Sequence, residues 1–329
     1  MATIVDVAER AGVSIATVSR IMNNRGPISD KTRKKVYKAM KELDYKPNEI
    51  ARALQKKKSQ IIGLIVPVID YAFFSRLTDA IEETCQQNGY KLMLCKSGAD
   101  EAMEKEMVSM LQGNKVDGIL LCSRLGDASI YTEFSLPIIS IDREIEKIPS
   151  VTSDNYNGGM MAAKVLIDAG CKNILLFGGD VPEYMPMHLR NNGFYDECKK
   201  NGVEYIEYTL NSEEDLREEV PADFVDLLKK NPQIDGVFVN GDLIAARLFH
   251  VLEKAGIDVL KDLPAVGFDG MEISEIINLT TIEQPIWEIG ECAVDLLLKK
   301  IEGKMVPERS ILPVKLIERK STLFKTNKQ

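Results

Sequence analysis

Thr3-Ile4-Val5-Asp6-Val7-Ala8-Glu9-Arg10-Ala11-Gly12-Val13-Ser14-Ile15-Ala16-Thr17-Val18-Ser19-Arg20-Ile21-Met22-Asn23 reads as two short helices in succession. Thr3 is a good N-cap, and a helix from Ile4 puts Ile4, Val7, Ala8 and Ala11 on one face. Gly12 ends it, because a residue without a Cβ enters the left-handed region freely. Ser14 caps a second helix, Ile15 to Met22, which runs out at Asn23-Asn24. Helix, glycine-containing turn and helix make a helix-turn-helix, which needs a third helix to close its core. Ser29 caps that third helix, Thr32 to Leu43. Val36, Ala39, Met40 and Leu43 face inward there, and Arg33, Lys34, Lys35, Lys38 and Lys41 face outward.

The second helix of such a motif enters the major groove with its first turn near the base edges. Ile15 and Ala16 occupy that turn and suit thymine methyls, while Arg20, one turn on, suits guanine O6 and N7. Thr17 and Ser19 suit phosphates. Residues 1–58 carry fourteen Lys/Arg against six Asp/Glu, and the remainder twenty-eight against forty-four. A head of about +8 thus sits on a body of about −16. Charge alone fits a solvated basic face equally well; with the helix pattern it points to double-stranded DNA.

The opening run resembles, almost residue for residue, the headpiece of the lactose/galactose repressor (LacI/GalR) family. So does Val36…Leu43-Asp44-Tyr45-Lys46-Pro47-Asn48-Glu49-Ile50-Ala51-Arg52-Ala53-Leu54. Pro47 starts a helix with Ala51 and Leu54 on one side, too short to persist alone in water. The resemblance implies that it is a hinge helix, paired with its twin in a homodimer on a pseudo-palindromic operator, with Leu54 wedged into a minor-groove step. Thr3, Ser14, Asn23, Tyr45, Asn48 and Ala51 complete the expected DNA-facing set. Lys56-Lys57-Lys58-Ser59 then reads as a basic linker.

From Ile61 the text changes to repeated strand and helix. Ile61 to Val66, Lys91 to Cys95, Gly118 to Leu121, Ile138 to Ile141, Asn173 to Phe177, Val203 to Ile206, Gly236 to Val239 and Ala265 to Phe268 read as strands. Phe74 to Asn88, Ala99 to Gly113, Met160 to Ala169, Gly193 to Asn201, Pro221 to Lys230 and Leu243 to Ala255 read as helices. Continuous apolar strands in βα units predict parallel sheets covered by helices, here two lobes with a cleft between them. Asp154-Asn155-Tyr156-Asn157-Gly158-Gly159, Arg190-Asn191-Asn192-Gly193-Phe194 and Val266-Gly267-Phe268-Asp269 look like signposts of the same family, whose body is similar to periplasmic sugar-binding proteins. The expected fold is an all-α helix-turn-helix headpiece (1–46), a hinge helix and linker (47–60), and an α/β two-lobed periplasmic-binding-protein-like effector domain (61–329). By the same analogy 61–161 plus 286–313 form the DNA-proximal lobe, and 162–285 plus 314–324 the distal lobe.

Ligands of parallel α/β sheets sit beyond the carboxyl ends of the strands, and sugars suit carboxylates, guanidinium groups, amides and an aromatic face. Tyr71, Phe73, Phe74, Asn157, Arg190, Asp242, Asp269 and Gln284 stand at such positions and are the expected effector-binding residues. Each has a plainer alternative: a surface ion pair for Arg190, a loop cap for Asp242 or Asp269, core for Phe74. Three departures from the family pattern bear on the ligand. Tyr71-Ala72 stands where Asn-Pro is usual, Gly241 interrupts Asn240-Gly241-Asp242, and Gly270 replaces the second Asp of Phe-Asp-Asp. Trp287, the only tryptophan, is read as core, with a reporter of closure as the alternative.

Composition excludes other classes. No apolar run approaches the ~20 residues of a membrane span, and the N-terminus has no signal-peptide pattern, so the expected location is cytoplasmic without membrane contact. Cys85, Cys95, Cys122, Cys171, Cys198 and Cys292 are scattered and read as buried thiols, and with two histidines, His188 and His250, no metal centre is expected. No cofactor loop or nucleophile motif occurs, so no enzyme and no cofactor is expected. The chain reads as an effector-controlled repressor of carbohydrate-utilisation genes. A purine- or protein-responsive regulator of the same family, or a sugar-binding protein without a regulatory role, are the alternatives.

Overall fold

A computed structural model describes residues 2–22, 26–45, 58–98, 100–126, 131, 134–178, 181–209 and 223–323. The chain divides into two compact units, 1–59 and 60–329.

The first unit holds three helices, α1 (Ile4–Ala11), α2 (Ile15–Met22) and α3 (Asp30–Glu42). Thr3 closes a capping box: its hydroxyl accepts from the Asp6 N–H while its own N–H donates to the Asp6 carboxylate at 2.7 Å. Gly12 leaves the helix at φ 65°, in the left-handed region. Val7, Ala8, Ala11, Val18, Ile21, Val36 and Ala39 form the buried core. Burial of a large apolar side chain stabilises by about 1.5–3 kcal/mol. The exposed Arg10–Glu42 pair at 2.8 Å contributes about 0–1 kcal/mol, so the small core holds this unit.

The second unit contains two six-stranded sheets. One carries β1 (Ile61–Val66), β2 (Lys91–Lys96), β3 (Gly118–Leu121), β4 (Ile138–Ile141), β5 (Ser150–Ser153) and, near the chain end, β11 (Arg309–Leu312). Their order is β11-β5-β4-β3-β1-β2, all parallel. The other carries β6 (Asn173–Phe177), β7 (Glu204–Tyr208), β8 (Gly236–Val239), β9 (Ala265–Asp269), β10 (Thr280–Glu283) and β12 (Lys315–Ile317), in the order β12-β10-β9-β8-β6-β7. Only β12 is antiparallel to its neighbour. Helices α4 (Ala72–Gln87), α5 (Glu101–Gly113) and α12 (Ile286–Ile301) cover the first sheet. Helices α6 (Asn155–Asp168), α7 (Pro186–Asn201), α8 (Asp223–Lys230) and α9 (Asp242–Lys254) cover the second. Short α10 (Val259–Asp262), α11 (Glu272–Ile276) and α13 (Lys320–Leu323) complete the order.

The chain passes between the sheets three times: after β5, after β10, and between β11 and β12. The first pass comes at Asp154, the N-cap of α6, so residues 155–161 belong to a helix packed on the second sheet and not to the first lobe as expected. Strands β5, β10, β11 and β12 are three or four residues long, and β5 and β10 are mostly polar, so none shows a strand pattern of its own. Their pairing partners, not their own periodicity, make them strands. Five cysteines are buried and Cys292 is half-buried. Trp287 is not core: it is 40% exposed and its indole N–H donates to Glu291 at 3.2 Å.

One backbone contact governs the second lobe. A Cβ on Gly159 of α6 would meet the Arg190 carbonyl oxygen of α7 at 1.8 Å, and one on Gly193 would meet the Tyr156 carbonyl oxygen at 1.9 Å. The two helices therefore touch backbone to backbone. Gly159→Ala should lower urea-unfolding stability by about 1–3 kcal/mol or more, since the clash is with main chain and cannot be relieved by a rotamer. Gly113→Ala, with nothing near its added methyl, should cost nothing in the same measurement.

Candidate functional site

Between the two sheets, beyond the carboxyl ends of their strands, the polar residues converge on Arg190. It comes from the first turns of α7 and is only 4% exposed. Its Nε and Nη2 donate to Asn155 Oδ1 at 3.3 and 3.0 Å, and its Nη1 donates to the Asn240 carbonyl at 2.8 Å. The guanidinium lies 3.3 Å from the centroid of the Phe268 ring. Burial pulls its pKa down, opposed by the charges of Asp269 and Asp142. A planar cation fixed from three sides is a rigid fork rather than a surface ion pair.

Asp269 ends β9 at φ 109°, a conformation that side chains rarely adopt and that occurs at sites where geometry matters more than local strain. Its Oδ1 accepts from Gln284 Nε2 at 2.7 Å, and Gln284 Oε1 accepts from Ser153 Oγ at 2.7 Å. Two of the three chain passes are thereby tied together. Its Oδ2 accepts from the Tyr71 hydroxyl at 3.0 Å, a bond that crosses from the first lobe to the second. Burial lifts the Asp269 pKa to about 6 against the pull of Arg190, Gln284 and Tyr71.

Asp242 is fully buried and hydrogen-bonded within its own lobe. It accepts from the Thr281 hydroxyl at 2.6 Å and the Met271 N–H at 2.7 Å, tying α9 to β10 and to the β9–α11 turn. Burial first, and then the charge of Asp269, lift its pKa to about 7. Its hydrogen bonds tie segments of the second lobe to one another.

The other expected residues divide. Phe73 and Phe74 are both buried in the core of the first lobe, and Phe74 also faces Tyr71 with ring centroids 6.2 Å apart. Asn157 is exposed on α6, its backbone N–H donating to Asp154 Oδ1 at 3.0 Å; the residue brought to Arg190 is Asn155. Sequence reasoning also missed Arg124 and Asp142, which follow β3 and β4 and pair at 2.7 Å beside Phe74. It missed Asn240, whose buried Oδ1 has no hydrogen-bond partner among the described residues while its amide donates to Gly178 and Asn191. Their position just past a strand end was the available signal. At the rim, the Arg143 guanidinium of the first lobe lies 4.9 Å from the ring centroid of Tyr184 in the second.

In the helical unit, Val18 and Ile21 of α2 face the core, while Ile15, 47% exposed, Ala16 and Arg20 form its outer face. Ser14 caps the helix by accepting from the Thr17 N–H at 3.2 Å and shares a hydroxyl contact with Thr17 at 2.9 Å. Thr17 and Ser19 are half-buried, and Tyr45 packs partly against the core. Thr3 is engaged in its capping box. Asn23, Asn48, Ala51 and Leu54, with the expected hinge helix, lie outside the described residues.

Residues 3–48 match the family described as bacterial regulatory proteins, lacI family, and residues 59–320 match periplasmic binding proteins and sugar binding domain of LacI family. The chain belongs to the LacI family. It is a transcription regulator and not an enzyme, as its opening residues led one to expect. The sucrose operon repressor of Streptococcus mutans is 37% identical to this LacI-family chain over 324 residues, covering 98% of it and 99% of the relative. The ribose operon repressor of Halalkalibacterium halodurans is 34% identical, covering 98% and 97%. Among solved structures, the lac repressor dimer bound to operator and the anti-inducer ONPF superposes with a TM-score of 0.85 at 28% identity, covering 98% of this chain and 99% of that one. The helix-turn-helix unit and the two-lobed α/β unit with parallel sheets are thus both the family's.

The two raised carboxylates make a pH prediction. Folded Asp242 and Asp269 hold protons to about pH 7 and 6, whereas the unfolded chain releases them near pH 4. The stability they contribute is fully present below pH 4 and is lost as pH rises through those values. Asp242→Asn should flatten the fall in melting temperature of the protein between pH 5 and pH 8, read by thermal unfolding at three pH values. An unchanged slope would exclude Asp242 as its source.

Proposed function

We propose that this LacI-family chain is a cytoplasmic, homodimeric repressor of carbohydrate-utilisation genes whose interlobe cleft binds a sugar. Residues 1–46 are the headpiece, 47–60 the hinge and linker, and 61–329 the effector domain. The observation that carries the sugar assignment is the buried Arg190 guanidinium, stacked 3.3 Å from the Phe268 centroid, on the same strand-end side as the buried Asp269 carboxylate with its Gln284 and Tyr71 partners, a planar fork and a carboxylate in one polar site. The names of the sucrose and ribose operon repressors among its relatives support it, as does a solved LacI-type regulator complexed with D-xylulofuranose, 34% identical with a TM-score of 0.72.

Two headpieces read the half-sites of a pseudo-palindromic operator through Ile15, Ala16 and Arg20, with Thr17 and Ser19 on phosphates, Thr3, Ser14, Asn23, Tyr45, Asn48 and Ala51 completing the DNA-facing set, and Leu54 wedged into the centre. In the cleft, Arg190, Asp269 and Gln284 stand against the ligand, with Tyr71 bonded to Asp269 from the first lobe and Asp242 tying their loops. Sugar and operator bias the same relation between lobes, so each must alter affinity for the other by the same factor.

Two measurements test this. Arg20→Ala should weaken binding to the operator ~5–150-fold, the equivalent of about 1–3 kcal/mol, while leaving binding to random DNA nearly unchanged. Equal losses on both would mean that Arg20 contacts phosphate. Thermal shift of the full chain against sucrose, D-ribose and D-xylulose should give a rise with at least one sugar that Arg190→Ala abolishes. A rise retained by the variant would place the ligand elsewhere.

A further inference from the structure

Two departures in the sequence, Tyr71 and Gly241, stand 170 positions apart and meet in the cleft. A Cβ built on Gly241 would lie 3.0 Å from the Tyr71 hydroxyl oxygen, and 3.5 Å from both Asp269 Oδ2 and the Ile244 Cδ1 methyl. Gly241 has φ −176°, extended backbone open to any residue, so its lack of a side chain matters here for space and not for conformation. The space is taken by the phenol, which reaches from the first lobe and donates to Asp269 Oδ2 at 3.0 Å. Tyr71 enters from the N-cap of α4 and packs on the first lobe's core with Phe74, so its body belongs to one lobe and its hydroxyl to the other. A second cross-lobe bond, from Arg76 Nη1 to the Gly270 carbonyl at 3.3 Å, lies on the same side.

With Gln284 on Oδ1 and Tyr71 on Oδ2, each oxygen of the buried Asp269 carboxylate already has a donor. We infer that Tyr71, seated over Gly241, is a specificity-determining residue of the cleft: its hydroxyl stands in for a ligand hydroxyl on Asp269, and a ligand must displace it to reach that carboxylate. The inference rests on the cleft being the effector site. It assigns the ligand class as neutral polyols, whose hydroxyl can take the place of the phenol at a buried acceptor with no change in charge. A ligand lacking that hydroxyl leaves Asp269 unpaired when it pushes Tyr71 aside, and a buried acceptor without a donor is costly.

The test is a double-substitution cycle in the full chain, read by thermal unfolding without and with sucrose or D-ribose. Without sugar, Tyr71→Phe removes only the hydroxyl and should lower the melting temperature by about 2–4 °C. Gly241→Ala crowds that hydroxyl and should also lower it, but should have no effect in the Tyr71→Phe background, where the atom nearest the new methyl is gone. Equal effects of Gly241→Ala in both backgrounds would overturn the pairing, whether or not any sugar binds. With sugar, the rise in melting temperature should be larger for Tyr71→Phe than for wild type, because the competitor for Asp269 has been removed. A smaller rise would show that the hydroxyl is a direct ligand contact, and would overturn the inference while leaving the sugar site intact. If neither sugar shifts wild type, Tyr71→Phe or the Gly241→Ala variant, the assignment of polyols to the Asp269 position fails, even where the sugar-free cycle shows coupling.

Discussion

The approach of α6 to α7 at Gly159 and Gly193 sets the position from which everything in the cleft is aimed. Two helices whose carbonyl oxygens stand where a Cβ would be cannot slide, rotate or separate without opening a void in the close-packed second lobe. Asn155 is the first residue of one helix and Arg190 lies on the first turns of the other, so the contact fixes the donor and the acceptor of the same pair of hydrogen bonds. Once Arg190 is placed, Phe268 and the Asn240 carbonyl leave its plane one orientation, and the end of β9 presents Asp269 to it. Main-chain packing therefore aims the polar site.

That site places charges where water cannot reach them. Taking a guanidinium and carboxylates out of water costs several kcal/mol per ion, and only a complete set of partners offsets it. Asp269 and Asp242 show how the cost is met: both are pushed toward the neutral form by burial, while hydrogen bonds from Gln284, Tyr71, Thr281 and the Met271 N–H hold the charged form. A site in which each oxygen of Asp269 already has a donor suits a neutral hydroxylated ligand, which exchanges one hydrogen bond for another and adds no charge. Tyr71 and the Gln284–Ser153 pair also span the lobes and the passes that join them.

The helical unit obeys a different economy of size. Its core is a handful of small aliphatic side chains, and its outer face leaves Ile15 open to solvent. In the LacI family the sensing body and the reading head lie on one chain, and the basic head on an acidic body keeps attraction for DNA confined to the end that reads it.

The helix-turn-helix, the central strands and the regulator's class were legible because each rests on local rules: caps at Thr3, Ser14 and Ser29, a glycine stop at Gly12, unbroken apolar strands such as Ile61 to Val66. Arg190, Asp269, Gln284 and Tyr71 were legible because a position just beyond a strand, or in a motif of the family, survives projection onto one dimension. Arg124, Asp142, Asn155 and Asn240 were not, and neither was the bonding of Asp242 within its own lobe, since a polar residue after a strand looks alike in sequence whether it faces a cleft, a loop or water. Strands β11 and β12 became strands through partners far along the chain, which also complete the pairing of β5 and β10. By itself the sequence determined which segments are helix or apolar strand and what kind of regulator they build, because those depend on neighbours within a few residues. Only the tertiary structure decided which carboxylate meets Arg190, where the chain changes lobes, and that Tyr71 fits the space left by Gly241, because each depends on distances between groups that the chain brings together only by folding.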